Sequence, residues 1–128
     1  MKKTKDELTE ETEKTGVIST EEILDNALNF FGNSPFTATV KNMLSSDYKK
    51  RFIAEYHQTS LRYEKLKQFC NKIEGTQLYN KEHCGKDFKA EPTHTCSLEL
   101  LRKQQAIMGE YLHILELRAV MEGIDIHE

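Results

Sequence analysis

Three groups of residues have side chains and spacing that suit chemistry. The first is basic and aromatic. Lys49-Lys50-Arg51 follows Tyr48, and Arg62, Lys65 and Lys67 lie further on with Tyr56 and Tyr63 interleaved. Basic groups hold phosphates while aromatic rings stack on bases, so the combination fits a nucleotide ligand. The same residues also serve simply to solvate a helix and fill its core. The second group is a single residue, Arg118, which falls in a run of otherwise apolar helical positions. A guanidinium there needs a carboxylate, a carbonyl or an anionic ligand, and an interhelical or intersubunit ion pair would satisfy it.

The third group is His83-Cys84 with His94-Thr95-Cys96. Imidazole and thiolate suit tetrahedral zinc, but adjacent His83 and Cys84 are awkward joint ligands and there is no CxxC knuckle. No glycine-rich oxyanion turn accompanies them as a nucleophile and base. They read as incidental polar residues of a loop, with no metal assigned. Walker, GxGxxG, HExxH and GxSxG motifs are missing, and Glu110 and Glu116 read as a solvated helix face. The expectation is a protein that is not an enzyme and carries no cofactor.

The elements that position these residues are helical. Residues 1–16 mix Lys with Asp and Glu around two large apolar residues, Met1 and Leu8, and read as a flexible charged arm. Residues 17–45 read as a short helix and a connector. Ser19 and Glu22 have capping-box spacing, and Ile23 to Phe31 carry helical periodicity before Gly32-Asn33-Ser34-Pro35. Residues 46–128 read as a helical hairpin. Phe52, Tyr56, Thr59, Tyr63, Leu66, Cys70 and Ile73 repeat at alternating steps of four and three, the signature of one helix face. Gly75 is expected to stop that helix and to open a loop over 75–96. Ser97 then caps a second helix closed by Gly123. This second helix has two apolar stripes, one through Leu98, Leu101, Gln105, Met108, Leu112, Leu115 and Ala119. The other passes through Ile107, Tyr111, Ile114, Arg118 and Met121. A hairpin buries one stripe and leaves the other to be covered in part by the short first helix, and two stripes on so small a chain favour self-association.

Composition agrees. A chain of 128 residues, 38% hydrophobic and 30% charged, suits one small domain and excludes fibrous, low-complexity and disulfide-dense classes. No apolar run nears the roughly 20 residues of a membrane span, so neither a membrane nor an export signal is expected. Three cysteines read as thiols of a reducing compartment. The net charge of -3 argues against a DNA or RNA polymer as partner, yet it is unevenly spread. Residues 47–74 hold seven Lys/Arg against four Asp/Glu, and residues 97–128 hold three against six.

Two segments also resemble a known family. Tyr48-Lys-Lys-Arg51-Phe52-Ile-Ala-Glu55 with Leu61-Arg62-Tyr-Glu-Lys65-Leu66-Lys-Gln-Phe69 is similar to the first long helix of the anti-CBASS sponges of T4-like and related phages. Leu100-Leu101-Arg-Lys-Gln-Gln105-Ala-Ile-Met108-Gly-Glu-Tyr111-Leu-His-Ile-Leu115-Glu-Leu-Arg118 is similar to its second. Over about residues 45–125 the chain also resembles an uncharacterised group of small gut-phage proteins. The resemblance implies an all-α hairpin assembling as a homo-oligomer, a homohexamer, in the host cell cytoplasm. It further implies sequestration of cyclic di- or trinucleotide immune signals without cleavage, with Tyr48, Lys65 and Arg118 as ligand-binding residues and Arg62 beside them. The longer loop and residues 1–44 depart from the family pattern.

A nanomolar sponge needs about 12 kcal/mol. A hydrogen bond to a charged group gives about 1.5–3 kcal/mol, and a stacked base about 1–3 kcal/mol. A tyrosine, a lysine and an arginine from one chain fall short, so the expectation is a site shared between subunits. Two alternatives stay open: a helical phage accessory protein acting through protein–protein contacts, and a sponge for another nucleotide signal such as a cyclic ADP-ribose isomer.

Overall fold

A computed structural model describes Ser19, residues 22–26 and residues 34–127. The charged arm expected over 1–16 lies outside the described residues, as do residues 27–33. Residues 22–26 are helical, and the Ser19 hydroxyl accepts from the Glu22 amide at 3.1 Å, as the capping spacing predicts. The connector forms two short helical turns, α1 (Pro35–Ala38) and α2 (Val40–Met43). Ser34 caps α1 and Pro35 enters its first turn, where a missing N–H costs nothing. Thr39, between the turns, is buried and pins the connector to the hairpin. Its hydroxyl donates to Phe36 O at 2.7 Å and accepts from Gln58 Nε2 at 2.7 Å.

The two long helices are α3 (Tyr48–Glu82) and α4 (Leu98–Glu122). Asp47 caps α3 by accepting from the Lys49 amide at 2.9 Å, and Ser97 caps α4 by accepting from Leu100 at 3.1 Å. The helices are antiparallel. Tyr48 reaches Arg118 and Glu122, Tyr56 reaches Glu116, Tyr63 lies against Gly109, and Arg102 bonds Glu74. Gly109 permits the close crossing, since a Cβ there would sit 3.3 Å from Tyr63 Cε1.

The core joins Phe52 of the expected α3 face and Leu115 and Ala119 of the expected α4 stripe to Ile53, Ile124 and Ile126, which lie outside both. Phe52, Ile53, Leu115 and Ala119 form its centre, and Tyr56 packs against them. Past Gly123 (φ +71°) the chain turns back, with the Ile124 amide bonding Ala119 O at 2.8 Å. Ile124 and Ile126 thereby join the core, and His57 Nε2 donates to Ile126 O at 2.6 Å. Large apolar side chains of this kind contribute about 1.5–3 kcal/mol each when fully buried.

One expectation is corrected. The first long helix does not stop at Gly75 but continues for two more turns to Glu82. An interior glycine costs only about 0.5–1 kcal/mol, and the segment beyond it is held from outside. Asn80 takes the backbone of Lys89 in two bonds, Nδ2 to Lys89 O at 2.8 Å and Oδ1 from Lys89 N at 2.9 Å. The Lys89 ammonium sits 4.3 Å over the Tyr79 ring, and Tyr79 stacks on His83. The true stop has the Cys84 amide on Lys81 O and the Gly85 amide on Asn80 O, with Cys84 left-handed at φ 53°. None of the helices among the described residues is long and apolar enough to cross a membrane.

Candidate functional site

The hairpin buries the C-terminal part of the first stripe of α4, leaves Leu98, Leu101, Gln105 and Met108 half-buried, and leaves the second stripe outside. Leu112, Leu115 and Ala119 are buried, whereas Ile107, Ile114 and Met121 are exposed, Met121 at 85%. Leu117 and Val120 widen that outer face. Arg118 stands beside it, at the end of the molecule where α3 begins and α4 finishes.

There the structure brings Tyr48 and Arg118 together. Arg118 Nη2 donates to the Tyr48 hydroxyl, and that hydroxyl donates to Glu122 Oε1 at 3.0 Å. Arg118 Nε donates to Glu122 Oε2 at 2.9 Å, and Nη2 lies 2.8 Å from the same oxygen. The guanidinium lies over the Phe52 ring, 5.2 Å from its centroid, and Tyr48 meets Phe52 edge-on at 6.2 Å. Arg118 therefore finds its carboxylate on its own helix, not across helices as an interhelical pair. Bonding to Glu122 first, and then the Tyr48 oxygen, pushes Arg118 further up. Conversely, Arg118 and then Tyr48 hold the Glu122 carboxyl below the usual carboxylate range, and Lys49 adds to this.

Arg62 and Lys65 are elsewhere. They lie 14 and 17 residues along α3 from Tyr48, about 21 and 25 Å at 1.5 Å per residue. Arg62 lines an open groove of about 400 Å³ between α2 and α3, with Met43, Arg51, Glu55, Gln58 and Thr59. Arg51 there donates to Ser45 O at 2.9 Å, and Glu55 accepts the Tyr111 hydroxyl. Among the described residues neither Arg62 nor Lys65 has an ion-pair partner. A single protomer thus gathers Tyr48 with Arg118 but not Arg62 or Lys65 with them.

Two residues of the cluster, Phe52 and Glu122, carried no functional reading from the sequence. Glu122 did leave a signal, since a carboxylate at a helix C-terminus faces the wrong end of the macrodipole. Glu116 is also more than a solvated face, because its Oε2 accepts the Tyr56 hydroxyl at 2.6 Å and pushes Tyr56 up to about 12. In the loop, His83 Nδ1 bonds Tyr79 O at 2.9 Å, and His94 bonds Cys96 O and Glu91. Among the described residues no three His, Cys, Asp or Glu side chains converge as a metal site.

A family model described as Sequestin matches residues 46–121. The chain belongs to the Sequestin family. The Sequestin match runs from just before α3 to the penultimate residue of α4, so Tyr48, Arg62, Lys65 and Arg118 fall inside it and Glu122 falls just outside. The family's name denotes sequestration, a binding role rather than a catalytic one. No curated protein and no solved structure matches the chain.

Proposed function

We propose that this Sequestin protein is a phage anti-defence sponge that binds cyclic di- or trinucleotide immune signals and withholds them without cleavage. Tyr48 stacks on a base, Arg118 and Lys65 take phosphates, and Arg62 supports Lys65 from one turn away. The observation that carries the reading is the pairing of an exposed tyrosine with an arginine at one end of a Sequestin hairpin.

The distance between Tyr48 and Lys65 makes a shared site the natural arrangement, with copies of the chain supplying what one protomer separates. The outer face of α4 supports such an assembly. Leu100, Ile107, Ile114 and Met121 recur every seven residues, and all four are more than half exposed. A copy seated on this stripe would lie beside Arg118. A two-fold interface suits a cyclic dinucleotide and a three-fold interface a cyclic trinucleotide. The assembly proposed is a homohexamer acting in the host cytoplasm. Titration of the purified protein with a panel of cyclic di- and trinucleotides tests the reading. Submicromolar binding to at least one member is expected, and no binding at micromolar concentration to any member would overturn it.

A further inference from the structure

We propose that Glu122 is a built-in competitor for Arg118: its carboxylate occupies the guanidinium edge that a ligand phosphate takes, and ligand binding displaces it. The inference rests on the reading of Arg118 as a phosphate-binding residue and adds a regulatory element to that site.

The geometry is specific. Glu122 Oε2 receives Arg118 Nε at 2.9 Å and lies 2.8 Å from Nη2. This Nε–Nη2 edge is one of the two that present paired parallel donors to two oxygens of a phosphate, and on the other edge Nη2 is engaged by the Tyr48 hydroxyl. The other carboxylate oxygen accepts the Tyr48 hydroxyl at 3.0 Å, and Arg118 also donates to that hydroxyl. One carboxylate therefore engages Tyr48 and Arg118, two of the groups proposed to meet ligand, and its departure releases both from it. The platform beneath them does not depend on it, because the guanidinium face rests on the Phe52 ring, which is anchored in the core.

Glu122 is also poorly placed for any reason other than its partners. It is the last residue of α4, where backbone carbonyls disfavour a negative charge. The contact is solvent-exposed, so exchange of one anion for another carries little desolvation cost. A tethered carboxylate has an effective concentration on the order of millimolar or higher. Isolated monoanions then compete badly, whereas a cyclic oligonucleotide engaging several copies of Arg118 at once displaces several carboxylates in one event. Glu122 so raises the threshold for occupancy and favours multivalent ligands.

Glu122→Gln removes the charge and keeps an oxygen that can accept from Tyr48. Affinity for cyclic di-AMP and cyclic tri-AMP is measured by calorimetry on wild type, E122Q, R118A and the R118A/E122Q double variant, with melting temperatures as the folding control. E122A serves as a second removal of the carboxylate should E122Q fold poorly. E122Q is expected to bind at least one probe about three- to fivefold more tightly than wild type, and the gain is expected to vanish in the R118A background. A purely structural role for Glu122 would weaken binding instead. Equal affinity of wild type and E122Q overturns the competitor while leaving the sponge reading intact. A gain that persists without Arg118 overturns it too, because the carboxylate would then act through long-range charge alone. Absence of binding by every protein overturns both the competitor and the sponge.

Discussion

The Arg118 guanidinium lies over the Phe52 ring, 5.2 Å from its centroid, so a charged group on α4 rests on the core of the hairpin. Phe52 is only 3% exposed and is fixed by Leu115, Ala119, Ile124 and Ile126. The same core that joins the helices therefore sets the plane and position of the arginine. Tyr48, one turn before Phe52, is placed by the same helix. The side chains gathered at this end are placed by packing, not by a loop.

The glycines give the sharpest stability contrast. Gly75 lies inside α3 with open space where a Cβ would be, so Gly75→Ala is expected to stabilise the protein by about 0.5–1 kcal/mol. Gly123 is left-handed at φ +71°, and Gly123→Ala is expected to destabilise by about 1 kcal/mol or more. Urea denaturation of the two variants checks both signs.

Tyr56 makes stability depend on alkaline pH. Its bond to Glu116 raises it from 10.0 to about 12, so the folded protein holds that proton more tightly than the unfolded chain. The contribution is fully present below pH 10 and is lost as pH rises towards 12. The stability difference between wild type and Tyr56→Phe should shrink over that window in chemical denaturation. Ultraviolet titration of the folded protein should show one tyrosine ionising late.

Much of this was legible in the residues themselves. The alternating spacing from Phe52 to Ile73 marked the buried face of α3, and Ser97 and Gly123 marked both ends of α4, because those signals are local. The end of α3 was not legible. Its left-handed residues are Cys84 and Gly85, but Gly75 offers the same stop signal ten residues earlier, and the bonds that carry the helix past Gly75 come from Lys89, nine residues beyond Asn80. Arg118 stood out as a charge in an apolar stripe, and its need for a carboxylate, a carbonyl or an anionic ligand followed from that. The carboxylate it takes, Glu122, lies four residues on along α4, a pair that the helix period itself encodes, whereas the meeting with Tyr48 and Phe52 depends on how α3 and α4 pack.

The thiols should separate cleanly. Cys70 is fully buried, whereas Cys84 and Cys96 are exposed. Alkylation of the native protein followed by mass spectrometry is expected to label Cys84 and Cys96 quickly and Cys70 only after denaturation. Early labelling of Cys70 would contradict the packing between α3 and α4.

The proposed assembly through the outer face of α4 has a direct mutational test. Six chains of 14.9 kDa give about 90 kDa by light scattering. Ile114→Glu introduces a charge at an exposed position of the stripe without touching the core. It is expected to reduce the mass to that of smaller species while leaving helical content by circular dichroism unchanged.

Sequestration without cleavage is the central claim, and recovery of the ligand tests it most directly. The protein is incubated with a cyclic di- or trinucleotide that it binds, filtered to remove free ligand, heat-denatured and chromatographed. The expected result is ligand retained by the folded protein and released intact, in a fixed ratio to the number of chains. Linearised product, or no retention of any cyclic nucleotide, would contradict the account.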